Sequence, residues 1–182
     1  MQDKSYKLGL VIGRFQPLHS GHEFMIRQAL NVCEEVVIVI GSAQESRTKR
    51  NPLTLQERIN IIVATFADEV VNKRIKILGL NDREKIVNDS SWGEYVLNAL
   101  KEKEIKMPDC VIEGNEPERE TWYDSLGIQR FIVDRNQIKI SGTRVREMIE
   151  NDEFCEWVNY CPSGLYPHKH YDFLQKIIKE IK

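Results

Sequence analysis

The apolar positions of this chain fall in short unbroken runs, each ended by a glycine or another turn residue. Tyr6 to Ile12 runs into Gly13, and Val36 to Ile40 runs into Gly41-Ser42. Continuous apolar runs of this length predict strands buried on both faces. Between them, Phe24, Met25, Ile26, Ala29, Leu30 and Cys33 recur at helical spacing. The order is therefore strand, glycine-containing loop, helix, strand, a βαβ unit. The alternation continues. Thr54-Leu55-Gln56-Glu57 has the form of a capping box and predicts a helix from about Thr54. Ile75 to Leu80 predicts a third strand, Ser91 to Lys103 a helix, and Asp109 to Glu113 and Phe131 to Val133 two further strands.

Strands alternating with helices predict an α/β fold: a doubly wound parallel sheet with helices on both faces and right-handed crossovers. Ligands of such sheets bind beyond the carboxyl ends of the strands. That rule gathers the loops starting at Gly13, Gly41, Asn81 and Gly114 into one site, although they lie far apart in the chain. The punctuated stretch Cys161-Pro162-Ser163-Gly164-Leu165-Tyr166-Pro167 sets off a final helix near Tyr171 to Ile181. The 182 residues suit one domain. Its core is expected over about 6 to 150, with a C-terminal helical segment over about 151 to 182. No repeat, low-complexity tract or proline-rich linker divides the chain.

Composition changes this picture little. Hydrophobic residues make up 41% and charged residues 30%, which suits a folded domain rather than a disordered one. With 26 basic and 28 acidic residues the formal net charge is -2, so no global basic field attracts nucleic acid or an anionic membrane. An anionic ligand must be met by local arginines. The N-terminal apolar run is too short for a secretory signal, and no stretch approaches the roughly 18 apolar residues of a membrane span. A cytoplasmic protein is expected. Four widely spread cysteines suggest reduced thiols. Cys155, Cys161, His168 and His170 read C-x5-C-x6-H-x-H, which misses the usual zinc spacings, so no structural metal is expected there.

The chemistry concentrates in Gly13-Arg14-Phe15-Gln16-Pro17-Leu18-His19-Ser20-Gly21-His22, which holds two of the four histidines. A helix starting near Ser20 or Gly21 would aim unsatisfied N–H groups and a partial positive charge at the loop, as a phosphate requires. His19 and His22 would then share a side of the first turn and donate hydrogen bonds to polyphosphate oxygens. Gly21 allows close backbone approach and Arg14 adds a fixed cation. Ser141-Gly142-Thr143 can cap a second helix start and form another anion cradle, with Arg146 in reach of it. Trp92 can stack on a cationic ring or anchor its helix in the core.

Taken together these stretches carry a resemblance. His19-Ser20-Gly21-His22 matches the H-x-G-H signature of the nucleotidyltransferases. Gly41-Ser42-Ala43-Gln44, then Arg50-Asn51-Pro52-Leu53-Thr54, then Ile140-Ser141-Gly142-Thr143-Arg144-Val145-Arg146 follow in the order found in the archaeal-type nicotinamide mononucleotide (NMN) adenylyltransferases. Leu53 stands where phenylalanine is usual. The resemblance spans about residues 8 to 150 and implies a Rossmann-like nucleotidyltransferase fold. It also implies the transfer of an adenylyl group from ATP to NMN in NAD biosynthesis.

What the resemblance implies for single residues is more detailed. His19, His22, Arg14, Arg50 and Arg146 would act on the triphosphate, with Arg47 and Lys49 as bystanders in a loop that can close over it. ATP would also meet Gly13, Phe15, Gly21, Ile140, Ser141, Gly142 and Thr143, with Gly114 and Asn115 beside the adenosine. Gly41, Ser42, Gln44, Arg50, Asn51 and Trp92 would meet the pyridine mononucleotide, together with Asp82 or its rival Asp89. The segment from Asn81 to Asp89 is longer than the common pattern, which leaves those two open. Glu116-Pro117-Glu118-Arg119-Glu120 has no counterpart. Mg²⁺ would arrive with ATP and keep most of its waters. Family members often assemble into hexamers, which implies a homo-oligomer. Other acceptors remain open, namely nicotinate mononucleotide, phosphopantetheine or a phosphoalcohol, and so does a non-catalytic nucleotide sensor.

Overall fold

The computed structural model describes residues 4–83, 89–115 and 127–181, with the side chains of 89–91 left out. Five strands form one parallel sheet: β1 (Tyr6–Gly13), β2 (Cys33–Ile40), β3 (Ile75–Gly79), β4 (Cys110–Gly114) and β5 (Gln129–Val133), in the order β3-β2-β1-β4-β5. The chain winds outward from β1 to β3 and then returns to the other side of β1. The order therefore reverses between β1 and β4, and a crevice opens there beyond the carboxyl ends of the strands.

The apolar runs divide between two faces because side chains alternate along a strand. On β2, Val36, Ile38 and Ile40 join the larger core, while Val37 and Val39 join the smaller one. Helices α1 (Ser20–Val32), α2 (Leu55–Thr65), α5 (Gly142–Glu150) and α7 (Pro167–Glu180) bury their apolar stripes in the larger core. Helix α4 (Asp89–Glu102) covers the opposite face through Val96 and Leu100. Among the described residues two further helices are short, α3 (Ala67–Val71) and α6 (Phe154–Trp157). Single 3₁₀ turns occupy Arg135–Gln137 and Val158–Tyr160.

Helix starts follow from local chemistry. The Thr54 hydroxyl accepts from Glu57 N–H at 3.2 Å while the Glu57 carboxylate accepts from Thr54 N–H at 2.7 Å, closing the capping box at the head of α2. The last helix begins at Pro167, four residues before the expected Tyr171, because proline is pre-set for the first helical turn and lacks the N–H that would be orphaned there. Cys33, expected on the first helix, is instead the first residue of β2 and fully buried.

The C-terminal segment packs on the same core as the sheet. Leu174, Ile177 and Ile178 of α7 are buried there with Met148 and Ile149 of α5. A buried carboxylate ties the preceding loop down, since Glu23 of α1 accepts from Ser163 N–H at 2.7 Å and from its hydroxyl, and pairs with Arg27 at 2.8 Å. Among the described residues no helix is long and apolar enough to cross a membrane.

Candidate active site

The site is built around the end of β1. His19 is the N-cap of α1, in extended backbone, and its Nδ1 accepts a long hydrogen bond from His22 N–H at 3.4 Å. With that lone pair engaged, the His19 proton belongs on Nε2. The two imidazoles stack with ring centres 3.8 Å apart, and Phe15 meets His22 edge-on at 4.9 Å. Phe15 is itself buried, with its ring packed beneath Gly13, so its side chain serves to seat His22.

Burial, reinforced by the charge of Arg135, pushes His19 down to about 3. Burial, then His19 and Arg135, hold His22 well below its ordinary value. Both rings are therefore neutral at neutral pH. His19 Nε2, Ser20 Oγ and His22 Nδ1 are enclosed with no hydrogen-bond partner. Buried polar atoms are nearly always satisfied, so three orphans in one helical turn point to a ligand that would satisfy them.

A second helix start faces the first. Ser141 caps α5, its hydroxyl accepting from Arg144 N–H at 3.2 Å. Arg146 reaches back from α5, donating to Gln16 O at 2.8 Å and to Thr143 Oγ1 at 3.2 Å. A Cβ on Gly21 would press on Ile140 at 3.0 Å and on the His19 ring at 3.2 Å; one on Gly142 would lie 3.3 Å from Gln16 O. The two motifs, more than a hundred residues apart in the chain, thus share one cleft, and at both glycines a side chain would crowd the facing motif.

Two hollows flank this centre. The first, of about 440 Å³, is lined by Gly13, Arg14, Gly41, Ser42, Glu45, Arg50, Asn51, Asp82 and Trp92. The second, of about 540 Å³, lies at the ends of β4 and β5 and is lined by Asn115, Arg135, Asn136, Ile140, Ser141 and Arg144 among others. Each is of the size that accepts a small molecule. Gly114 ends β4, and the Asn115 amide is already committed, donating to Asp134 at 3.0 Å and accepting from Arg135 N–H at 3.1 Å.

The first hollow is both cationic and aromatic. Burial, then Arg50, lowers the Arg14 guanidinium from its usual value, while burial, then Arg14, does the same to Arg146. Three guanidinium groups near enough to repel one another leave a site that an anion would relieve. In the same lining, Trp92 has its indole N–H enclosed and unpartnered, as is the Asn51 carbonyl oxygen. Asn51 is buried and donates to Glu45. Gln44 and Asp82 bond reciprocally, Asp82 N–H to Gln44 Oε1 at 3.0 Å and Gln44 Nε2 to Asp82 at 3.4 Å. Asp82 also lines this hollow; the side chain of its rival Asp89 and the stretch Glu116–Glu120 lie outside the described residues. Arg47 is tied instead to Glu57, at 2.8 and 2.6 Å, and to Pro52 O at 2.9 Å, which anchors the loop that carries Arg50.

Among the described residues the carboxylates lining the hollow are Glu45 and Asp82, and no three His, Cys, Asp or Glu side chains gather as metal ligands. Such a donor set suits a divalent cation carried in by phosphate oxygens and water, and does not suit a caged metal.

Sequence reasoning left out two residues that hold the cleft together. Gln16 is buried and forms a reciprocal pair with Leu53, donating to its carbonyl at 2.9 Å and accepting from its N–H at 2.8 Å. Arg58 is fully buried in α2 and bonds to the turns after β1 and β2. Gln16 lay in plain view within the first motif, whereas a lone arginine on a helix carries no signal that it points inward.

Comparison with known proteins agrees with this geometry. The family model described as cytidylyltransferase-like matches residues 10–148. A protein of Methanococcus aeolicus named nicotinamide-nucleotide adenylyltransferase is 32% identical over 157 residues, covering 86% of this chain and 84% of that protein. One of the same name from Thermococcus onnurineus is 32% identical over 181 residues, covering 97% and 84%. Among solved structures, a bifunctional NMN adenylyltransferase/ADP ribose pyrophosphatase of Francisella tularensis, complexed with AMP and a manganese ion, superposes with a TM-score of 0.72 at 25% identity. The match covers 97% of this chain and 52% of that one, so this chain spans about half of the bifunctional protein. The chain belongs to the cytidylyltransferase-like family, among relatives that carry the name nicotinamide-nucleotide adenylyltransferase.

Proposed function

We propose that this chain transfers the adenylyl group of ATP to nicotinamide mononucleotide, giving NAD and pyrophosphate. The observation that carries the proposal is the convergence of the α1 and α5 starts on one cleft, with Arg14, Arg50 and Arg146 around it and unpartnered imidazole nitrogens inside it. The names of the relatives supply the acceptor.

In this reading the triphosphate lies across the β1 end. Arg14, Arg50 and Arg146 neutralise it, the cap N–H groups of both helices add donors, and Gly13, Gly21 and Gly142 let the backbone close in. Adenosine enters the hollow at Asn115, along Gly114, Ile140, Ser141 and Thr143. NMN takes the other hollow, its pyridinium ring against Trp92 and its polar groups near Ser42, Gln44, Asn51 and Asp82. The NMN phosphate oxygen attacks the α-phosphorus in line, and the bond to the β-phosphate breaks with its electron pair leaving on pyrophosphate.

A phosphate nucleophile is already anionic, so no general base is needed and the rate comes from alignment and charge stabilisation. His19 and His22, neutral and pre-placed, donate to oxygens whose charge grows as the bond breaks. Mg²⁺ bound to the phosphates would withdraw charge from them; Glu45 and Asp82 would meet its water shell. The enzyme would act in the cytoplasm.

The test supplies ATP and Mg²⁺ with NMN, nicotinate mononucleotide or phosphopantetheine in turn, following pyrophosphate and the joined product. NMN is expected to turn over. Turnover with phosphopantetheine alone would replace the assignment, and ATP binding without any pyrophosphate would make the chain a sensor.

A further inference from the structure

Arg58 is the fourth residue of α2 and has no exposed surface. Its partners are main-chain carbonyls: Arg14 O at 3.0 Å and Gly41 O at 2.8 Å from Nη1, Ser42 O at 3.1 Å from Nη2, and Thr54 O at 3.3 Å from Nε. A buried guanidinium bonded to neutral carbonyls is expensive to keep, since desolvation is offset only by hydrogen bonds. Burial lowers it from its ordinary value, and Asp82 is the carboxylate whose charge opposes that shift.

Three of the four carbonyls belong to the turns that leave β1 and β2, the two strands whose ends wall the first hollow. Each of these turns contains a residue in the left-handed region without being glycine, Phe15 at φ 51° and Ser42 at φ 48°. Such a conformation is uncommon outside glycine and is kept only where the surroundings hold it. Arg58 supplies that hold on both turns at once. A trans peptide points its N–H away from its own carbonyl. With the carbonyls of Arg14 and Gly41 turned onto Arg58, the N–H groups of Phe15 and Ser42 face the opposite side.

We propose that Arg58 is a positioning residue for the reaction. It fixes the two left-handed turns before substrate arrives, so that Arg14 and the Ser42 wall are already in place and the Phe15 and Ser42 N–H groups serve as anion donors. The inference rests on the adenylyl-transfer reading. A planar fork suits this task, because it reaches several carbonyls in fixed directions where an ammonium is a single point charge.

Arg58→Lys keeps the charge and most of the stem but cannot span the set. Measured well below its melting temperature, with the folded fraction checked by circular dichroism, it is expected to lose about a hundredfold in kcat, the scale of an ångström-sized misplacement. KM for ATP and NMN should change by less than about threefold. Arg58→Met should lose at least as much. A folded Arg58→Lys protein with kcat within about threefold of wild type overturns the proposal. The second arm needs no variant: inorganic pyrophosphate is titrated into the ¹⁵N-labelled wild-type protein. Phe15 and Ser42 amide resonances are expected to move together, and if neither moves the proposal is overturned even should both variants fail to fold. Absence of NAD formation by the wild type would count against the adenylyl-transfer reading, and the amide titration would still test whether the N–H groups behind the carbonyls that Arg58 holds meet an anion.

Discussion

Replacing His22 by phenylalanine should make the protein more stable and nearly inactive. The ring stack on His19, at 3.8 Å, and the edge contact with Phe15, at 4.9 Å, can both survive the change, because phenylalanine keeps an aromatic ring in the same place. What disappears is the enclosed Nδ1, which has no partner. An unsatisfied buried polar atom costs about 1 to 3 kcal/mol, so removing it should raise stability by about 1 kcal/mol or more. In a chain of this size that shifts the midpoint by roughly 2 to 4 °C per kcal/mol. Activity moves the other way, because losing one pre-placed donor to a developing charge lowers kcat by about 10² to 10³. Differential scanning calorimetry and initial-rate pyrophosphate release measure the two effects on the same preparation. A variant that melts more than about 3 °C below wild type, or that keeps kcat within tenfold, would show His22 to be part of the scaffold and not of the chemistry.

Two further expectations rest on separate parts of the molecule. His19 is pushed to about 3 and His170 to about 4 by burial, from an ordinary value of 6.5, so between those limits the unfolded chain takes up protons that the folded chain refuses. Their contribution is complete above pH 6.5 and is lost as the pH falls below it, at about 1.4 kcal/mol per pH unit for each histidine. Urea denaturation should therefore show lower stability at pH 5 than at pH 7.5, and equal or higher stability at pH 5 would contradict both assignments. Trp92→Ala should raise KM for NMN about tenfold, the order of a cation–π contact, and leave KM for ATP within about twofold; an equal rise for both substrates would remove the tryptophan from the acceptor pocket.

Much of this could be read from residue order because the signals were local. The strands were found to within a few residues, since parallel strands buried on both faces are continuous apolar runs and Gly13, Gly41 and Gly114 mark or follow their ends. The starts of α2 and α5 were legible because Thr54 and Ser141 are ordinary caps whose partners lie three residues on, and that of α1 because the apolar helical spacing begins just after Gly21, although its cap, His19, carries no such signal. Helices α3 and α6 were not, being a turn or so long and held by packing rather than by a pattern of their own. The cleft was legible as a set of strand ends but not as a network. Arg146 bonding to Gln16, Gln16 pairing with Leu53 and Arg58 gripping the turns after β1 and β2 are contacts across long sequence separations that no spacing announces. An arginine at position 58 of an amphipathic helix reads as solvent-facing, and only the folded turns reveal that three carbonyls converge on it.

Every assignment in this cleft depends on its delivering the α-phosphoryl group of ATP, with its adenosine, to a second phosphate. That delivery is tested most directly by tracing label from [α-³²P]ATP in a single turnover with NMN and Mg²⁺. The label is expected entirely in the dinucleotide, with one unlabelled pyrophosphate released for each molecule formed. Label recovered in ADP or free AMP instead would contradict it.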